Sequence, residues 1–176
     1  MNKSIKINPE LLFQTIQGVA RSIENELASI NETGIFFVPE LHLAFEVGKK
    51  IYIHRKEIFG TNELKWVREK NLGNGGPCDL IFENDSESVV FEFKIADTWN
   101  SYEKDIKKLQ SLPNEDSHSY HKFFVAVVDQ FREKQDGRID YLKSFDQLHL
   151  RMESFEVGYS GYQGNINCVL ALYRVN

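Results

Sequence analysis

Acidic and basic side chains share one face of a predicted strand at residues 88–95. Because the side chains of a strand alternate between its two faces, Glu92 and Lys94 lie on the same face, opposite a wholly apolar one. Asp79 begins a second apolar segment, residues 79–82, and a polar loop separates the two segments as in a β-hairpin. We therefore expect two carboxylates and one ammonium group to converge on this hairpin.

Such a trio is suited to the hydrolysis of phosphodiester bonds. Mg²⁺ prefers hard oxygen ligands and is usually held by one or two carboxylates, water and substrate phosphate oxygens. The bound metal neutralises phosphate charge and helps to generate hydroxide. A lysine beside the metal can orient the attacking water or stabilise charge in the transition state. The pattern of Asp79, Glu92 and Lys94 thus predicts metal-dependent phosphodiester hydrolysis.

Glu40 is a fourth candidate for the same site. It stands at the start of a predicted helix that runs to about residue 50, and the apolar positions of this helix share one arc: Leu41, Leu43, Ala44, Val47 and Ile51. Glu40 falls inside that arc, whereas Glu46 falls outside it. Because an inward carboxylate needs a cation, a metal or a hydrogen-bond donor, Glu40 could join the site as a further ligand, directly or through water.

A Glu-x-Lys pattern alone is a weak signal, because the chain contains a second one at Glu63 and Lys65 without the same strand context. The alternative interpretation makes Glu92 and Lys94 an exposed ion pair on a solvated sheet, worth only about 0–1 kcal/mol. The turn at residues 73–77 and the hairpin around the pair favour a site.

The elements that must position these residues alternate between helix and strand. Helices show apolar side chains at 3.6-residue spacing, and strands are short runs rich in β-forming residues. Beyond the hairpin, the predicted elements are a helix at 9–30, strand-like pieces at 50–54 and 65–68, a helix at 98–112, a buried strand at 122–129, a short helix within 138–150 and a strand at 166–175. This order predicts an α/β fold with a central mixed sheet flanked by helices.

At the hairpin, the chain resembles a known family. Residues 76–82 are Gly-Pro-Cys-Asp-Leu-Ile-Phe, and residues 89–94 are Val-Val-Phe-Glu-Phe-Lys. Together with Glu40 on the preceding helix, this pattern resembles the PD-(D/E)XK nuclease superfamily over about residues 36–130. The resemblance implies the restriction-endonuclease-like fold with its αβββαβ core. One departure is Cys78, which separates the proline from Asp79; since that proline varies in the superfamily, Asp79 remains the expected ligand.

The resemblance also implies a set of site residues. Asp79, Glu92 and the main-chain carbonyl of Phe93 would bind Mg²⁺, for which Mn²⁺ can substitute, and Lys94 would assist the water. Glu40 matches the acidic helix residue that many members carry. The implied activity is that of a DNA endonuclease, most concretely a restriction-type enzyme. It would act as a homodimer, since one site per subunit serves one strand.

Composition sets the limits on these expectations. A chain of 176 residues with 41% apolar residues suits one domain, here divided into an N-terminal helix at about 9–30, a core at about 36–130 and a C-terminal helix and strand extension at 131–176. Cys78 and Cys168 are too few for a disulfide framework. We find no secretory signal and no apolar run of membrane-spanning length. We expect a cytoplasmic protein with no membrane partner and no organic cofactor.

The net charge of −5 excludes a globally basic nucleic-acid coat but leaves room for a local basic face. Seven basic residues could line a phosphate track or form an ordinary solvated face: Lys49, Lys50, Arg55, Lys56, Lys104, Lys107 and Lys108. Tyr159 and Tyr162 could stack on bases or belong to a simple turn. Two other functions stay open: a non-catalytic, immunity-like binding or regulatory protein on the same fold, and a nuclease acting on RNA or on structured or single-stranded DNA.

Overall fold

The computed structural model describes residues 4–30, 33–113, 118–162 and 164–176. Within these ranges the strands are β1 (Lys65–Asn71), β2 (Pro77–Glu83), β3 (Glu87–Ile95), β4 (Ser119–Phe131), β5 (Leu150–Glu156) and β6 (Ile166–Val175). The α-helices are α1 (Pro9–Ser29), α2 (Glu40–Ile53), α3 (Arg55–Phe59), α4 (Trp99–Gln110) and α5 (Gly137–Lys143), and a 3₁₀ turn at Ile35–Phe37 precedes α2. None of the described helices combines the length and the hydropathy that crossing a membrane requires.

The strands form one sheet in the order β1-β2-β3-β4-β6-β5. β1, β2 and β3 make an antiparallel meander, and α4 then crosses over to β4, which runs parallel to β3. β6 is antiparallel to both β4 and β5. The predicted α/β class with a central mixed sheet and flanking helices is therefore confirmed.

Hydrophobic cores fill both sides of the sheet. On one side, Val89, Phe91 and Phe93 of β3 pack in a core with α1, α2 and α3. On the other side, Val90 belongs to a second core with α4 and α5. The predicted alternation of β3 is correct, but the face that carries Glu92 is covered by a helix rather than by solvent.

Glu24 anchors α1 to two distant segments. Its side chain is buried, and its carboxylate accepts backbone hydrogen bonds from Ile35 at 2.7 Å, Gly158 at 2.8 Å and Tyr159 at 3.1 Å. These bonds fix the turn that leads into α2 and the loop that leads into β6. In that loop, Tyr159 packs against Tyr162 with ring centroids 5.4 Å apart.

We expect Glu24→Gln to lower the free energy of unfolding by about 2 kcal/mol, because the amide keeps one acceptor but loses the charge that strengthens the three hydrogen bonds. Urea unfolding monitored by circular dichroism measures the change. Glu26→Gln is the matched control on the same helix, since Glu26 is exposed and should change stability by less than about 0.5 kcal/mol. Equal unfolding midpoints for the two variants would contradict this role for Glu24.

Two segments differ from the sequence prediction. The segment 50–54 is not strand-like: residues 50–53 continue α2 and His54 caps it, because Ile51 completes the buried arc of that helix. β5 was not predicted, since only two of its seven side chains, Leu150 and Phe155, are buried and its apolar pattern is weak. The short helix α5 does lie near the start of its predicted range.

β1 and β5 form the two edges of the sheet. β1 carries exposed charges at Lys65, Arg68 and Glu69. Glu69 has a φ of 51°, in the left-handed region, and its place in the register between Arg68 and Lys70 has no partner on β2. This edge strand is therefore both charged and locally distorted.

Candidate active site

The site lies where β2 and β3 separate. Their paired register runs from Glu83 and Ser88 to Leu80 and Phe91, and it ends there. Asp79 is the next residue of β2, and its Oδ2 accepts a hydrogen bond from the backbone N–H of Phe93 at 2.8 Å. The Asp79 side chain thus takes the place of a strand neighbour and lies beside the end of β3.

Glu92 is buried beside this carboxylate, with only 3% of its surface exposed. Burial, and next the charge of Asp79, raises the pKa of Glu92 to about 7. Nζ of Lys108 lies 2.7 Å from its Oε1, yet this oxygen accepts no hydrogen bond of good geometry from any described residue. Burial also raises the pKa of Asp79, against the opposing effect of the hydrogen bond from Phe93. For both acids, the effect of burial outweighs that of the nearby positive charges, which are Lys108 for Glu92 and chiefly Lys94 for Asp79.

Lys94 lies between two further carboxylates. Its Nζ is 2.9 Å from Oε2 of Glu40 and 3.2 Å from Oδ2 of Asp105. Burial alone would lower the pKa of Lys94, but the two carboxylates outweigh burial and raise the pKa above its ordinary value. Lys94 is therefore a fixed ammonium group, able to stabilise negative charge or orient water but not to accept a proton.

Glu40 faces inward, as the helical arc of α2 predicts. Besides its contact with Lys94, its Oε1 accepts a hydrogen bond from the backbone N–H of Ile95 at 3.3 Å. The cation that this inward acid requires is thus Lys94. The structure places Glu40 as the partner of the lysine, and direct metal binding by its carboxylate stays a prediction.

Sequence analysis missed two members of this cluster, Asp105 and Lys108 of α4. Asp105 is buried and lies three residues after Tyr102 and four before Leu109, so it falls on the buried stripe of the helix. The argument that identified Glu40 would have identified Asp105 as well. Lys108 borders that stripe, and only its four-methylene stem lets it reach inward.

A single basic track along the surface is not present among the described residues. α2 and α4 pack on opposite faces of the sheet, so their lysines do not form one line. Lys49 pairs with Glu46 and Lys107 pairs with Glu103, each at 2.6 Å, while Lys108 turns into the site. The basic residues of the two helices therefore do not form one continuous phosphate track, which was one of the two interpretations that the sequence left open.

The donor groups fit a hard divalent cation. Within the described ranges, no set of three or more His, Cys, Asp or Glu side chains lies close enough to hold a metal. Mg²⁺ needs fewer protein ligands than that, because it keeps several waters and binds substrate phosphates. Asp79 and Glu92 supply two carboxylates, and the Phe93 carbonyl points to the same side of β3 as its N–H, toward Asp79. The buried Oε1 of Glu92 that lacks a good hydrogen bond is consistent with such a ligand.

The net charge of the cluster also favours a bound cation. The cluster contains four carboxylates, those of Glu40, Asp79, Glu92 and Asp105, against the two ammonium groups of Lys94 and Lys108. A site with excess buried negative charge either takes up protons or binds a cation.

No protein-family model matches the chain, and no curated protein matches it. The functional assignment therefore depends on the arrangement of these side chains.

Proposed function

We propose that the protein is a Mg²⁺-dependent endonuclease that hydrolyses DNA phosphodiester bonds, on a restriction-endonuclease-like fold. The observation that carries the proposal is the cluster of four carboxylates and two lysines at the divergence of β2 and β3, where the buried Glu92 lies beside the half-buried Asp79. The order α2-β1-β2-β3-α4-β4, interrupted only by the short α3, supports the fold, because it matches the αβββαβ core of that superfamily.

Each residue has a defined role in this proposal. Asp79, Glu92 and the Phe93 carbonyl would hold Mg²⁺, which supplies Lewis acidity and an activated water when bound. Lys94 keeps its proton and directs a positive charge at the reacting phosphate or its attacking water. Glu40 and Asp105 act through Lys94, because their contacts of 2.9 and 3.2 Å hold the ammonium group in one place. Such preorganisation lowers the cost of orienting charge during the reaction.

The direct test is incubation of the purified protein with supercoiled plasmid in Mg²⁺, Mn²⁺ or EDTA. We expect nicked and linear products with either metal and intact plasmid with EDTA. Discrete fragments would indicate sequence-specific, restriction-type cleavage. RNA and single-stranded DNA tested in parallel identify the preferred nucleic acid. Intact plasmid with both metals, together with no calorimetric metal binding, would refute the proposal.

A second candidate is a non-catalytic binding or regulatory protein on the same fold. The observation that favours it is internal pairing: Lys94 contacts Glu40 and Asp105, and Lys108 contacts Glu92, so much of the charge is compensated within the chain. Such a protein needs no metal. Calorimetric titration with Mn²⁺ separates the candidates, since only the endonuclease requires binding at Asp79 and Glu92.

A further inference from the structure

Lys108 differs from the other lysines of α4 in where its side chain points. Lys104 is exposed, and Lys107 keeps 67% of its side chain exposed, whereas Lys108 keeps 16%. Its Nζ lies 2.7 Å from Oε1 of Glu92 and donates a hydrogen bond to the carbonyl of Pro77 at 2.6 Å. The ammonium group therefore lies between oxygens of β2 and β3.

The backbone of Lys108 is also held in place. Asn74, in the turn before β2, donates a hydrogen bond from Nδ2 to the Lys108 carbonyl at 3.1 Å. The hydroxyl of Ser111 donates to the same carbonyl at 2.7 Å. The base of the side chain is thus fixed, while the four-carbon stem above it keeps rotatable bonds through which the ammonium group can move.

We infer that Lys108 occupies the cation position beside Glu92 in the metal-free protein and that a divalent cation displaces it. This inference rests on the proposed function, because it assumes that Glu92 is a metal ligand. An ammonium group and a divalent cation are both attracted to the same carboxylate oxygen. Two positive charges bound to one oxygen would lie within a few ångströms of each other and repel. Binding of the metal therefore turns Lys108 outward.

Once displaced, Lys108 could contact the substrate. A released ammonium group at the rim of the site is hydrated and free to contact a substrate phosphate, which carries the opposite charge. Metal and DNA would then bind cooperatively, because the metal releases Lys108 and the DNA phosphate binds the released ammonium group. Lys108 thus links occupancy of the metal site to the presence of substrate.

The test compares Mn²⁺ binding by the full-length protein and by Lys108→Met, which keeps a side chain of similar length without the charge. Calorimetry should show that Lys108→Met binds Mn²⁺ about 10-fold more tightly, within the usual range of coupling between two ligands. Lys107→Met is the matched control, because that lysine is exposed and pairs with Glu103. It should bind Mn²⁺ as the unmodified protein does.

Each outcome distinguishes the inference from the proposed function. Equal or weaker Mn²⁺ binding by Lys108→Met, while the unmodified protein binds, overturns displacement and leaves the endonuclease standing. No Mn²⁺ binding by any of the three proteins overturns both.

A measurement on the unmodified protein covers the case in which Lys108→Met does not fold. Acylation of lysines by an activated ester, followed by mass spectrometry, reports how accessible each ammonium group is. Mn²⁺ should raise the labelling rate of Lys108 several-fold and leave that of Lys107 unchanged. An unchanged rate for Lys108 in saturating Mn²⁺ overturns the inference.

Discussion

Asp79→Asn and Lys94→Ala should each reduce metal-dependent DNA cleavage by at least about 100-fold, the usual cost of removing one preorganised electrostatic group. Asparagine keeps an oxygen for the hydrogen bond from Phe93, so the strand geometry survives while the charge of the ligand is lost. Alanine at Lys94 removes the ammonium group and leaves Glu40 and Asp105 without their shared cation. Initial rates of plasmid nicking at saturating Mg²⁺ measure both effects.

The chain supplies its own controls for this experiment. Glu63 and Lys65 form the second Glu-x-Lys pattern, and both are exposed. Glu63→Gln and Lys65→Ala should cleave at the unmodified rate, and circular dichroism should show all four variants folded. A folded Asp79→Asn or Lys94→Ala variant that keeps full activity would remove that residue from the catalytic site.

Glu92→Gln should change how stability depends on pH. The pKa of Glu92 rises from 4.5 to about 7 on folding, chiefly through burial and then through the neighbouring charge of Asp79. Between these values the folded protein binds more protons than the unfolded chain, so stability falls as the pH rises through the window. The loss from this one group amounts to about 3 kcal/mol. Glutamine does not ionise, so the variant should lack this part of the decline.

Urea unfolding at pH 5 and pH 8 in EDTA provides the comparison, with Glu63→Gln as a control that follows the unmodified protein. Adding Mn²⁺ at pH 8 should stabilise the unmodified protein but not Glu92→Gln, because the variant lacks the proposed carboxylate ligand and a metal stabilises only a folded state that binds it. Parallel pH profiles for the unmodified protein and Glu92→Gln would show that the Glu92 carboxylate is not destabilised by its surroundings.

Local periodicity predicted the parts of the site that depend on one element at a time. The two-residue period of β3 places Glu92 and Lys94 on one face, and the helical period of α2 turns Glu40 inward. Asp105 was equally accessible to the helical argument but was overlooked, because the stripe of α4 was identified from apolar residues alone. Lys108 was not predictable in this way, since its inward turn depends on oxygens from β2 and β3.

Long-range geometry is what the sequence could not supply. The separation of β2 from β3 beyond Leu80 creates the space for the Asp79 carboxylate, and no local pattern encodes where a register ends. The pairing of β6 between β4 and β5 likewise depends on contacts between segments far apart in the chain. Residues 50–53 show that packing can also override a local pattern. Their sequence is strand-like, but they belong to α2, where Ile51 is buried.

The distorted, charged edge at β1 has a consequence for self-association. Open strand edges template the addition of strands from other molecules, which is how many β-proteins aggregate. Lysine, arginine and a local break in pairing at Glu69 make such addition at β1 unfavourable, since an incoming strand would desolvate charges and meet an interrupted ladder. The β1 edge is therefore protected against fibril-like growth, and a second copy of this protein would have to bind elsewhere than by extending the sheet at β1.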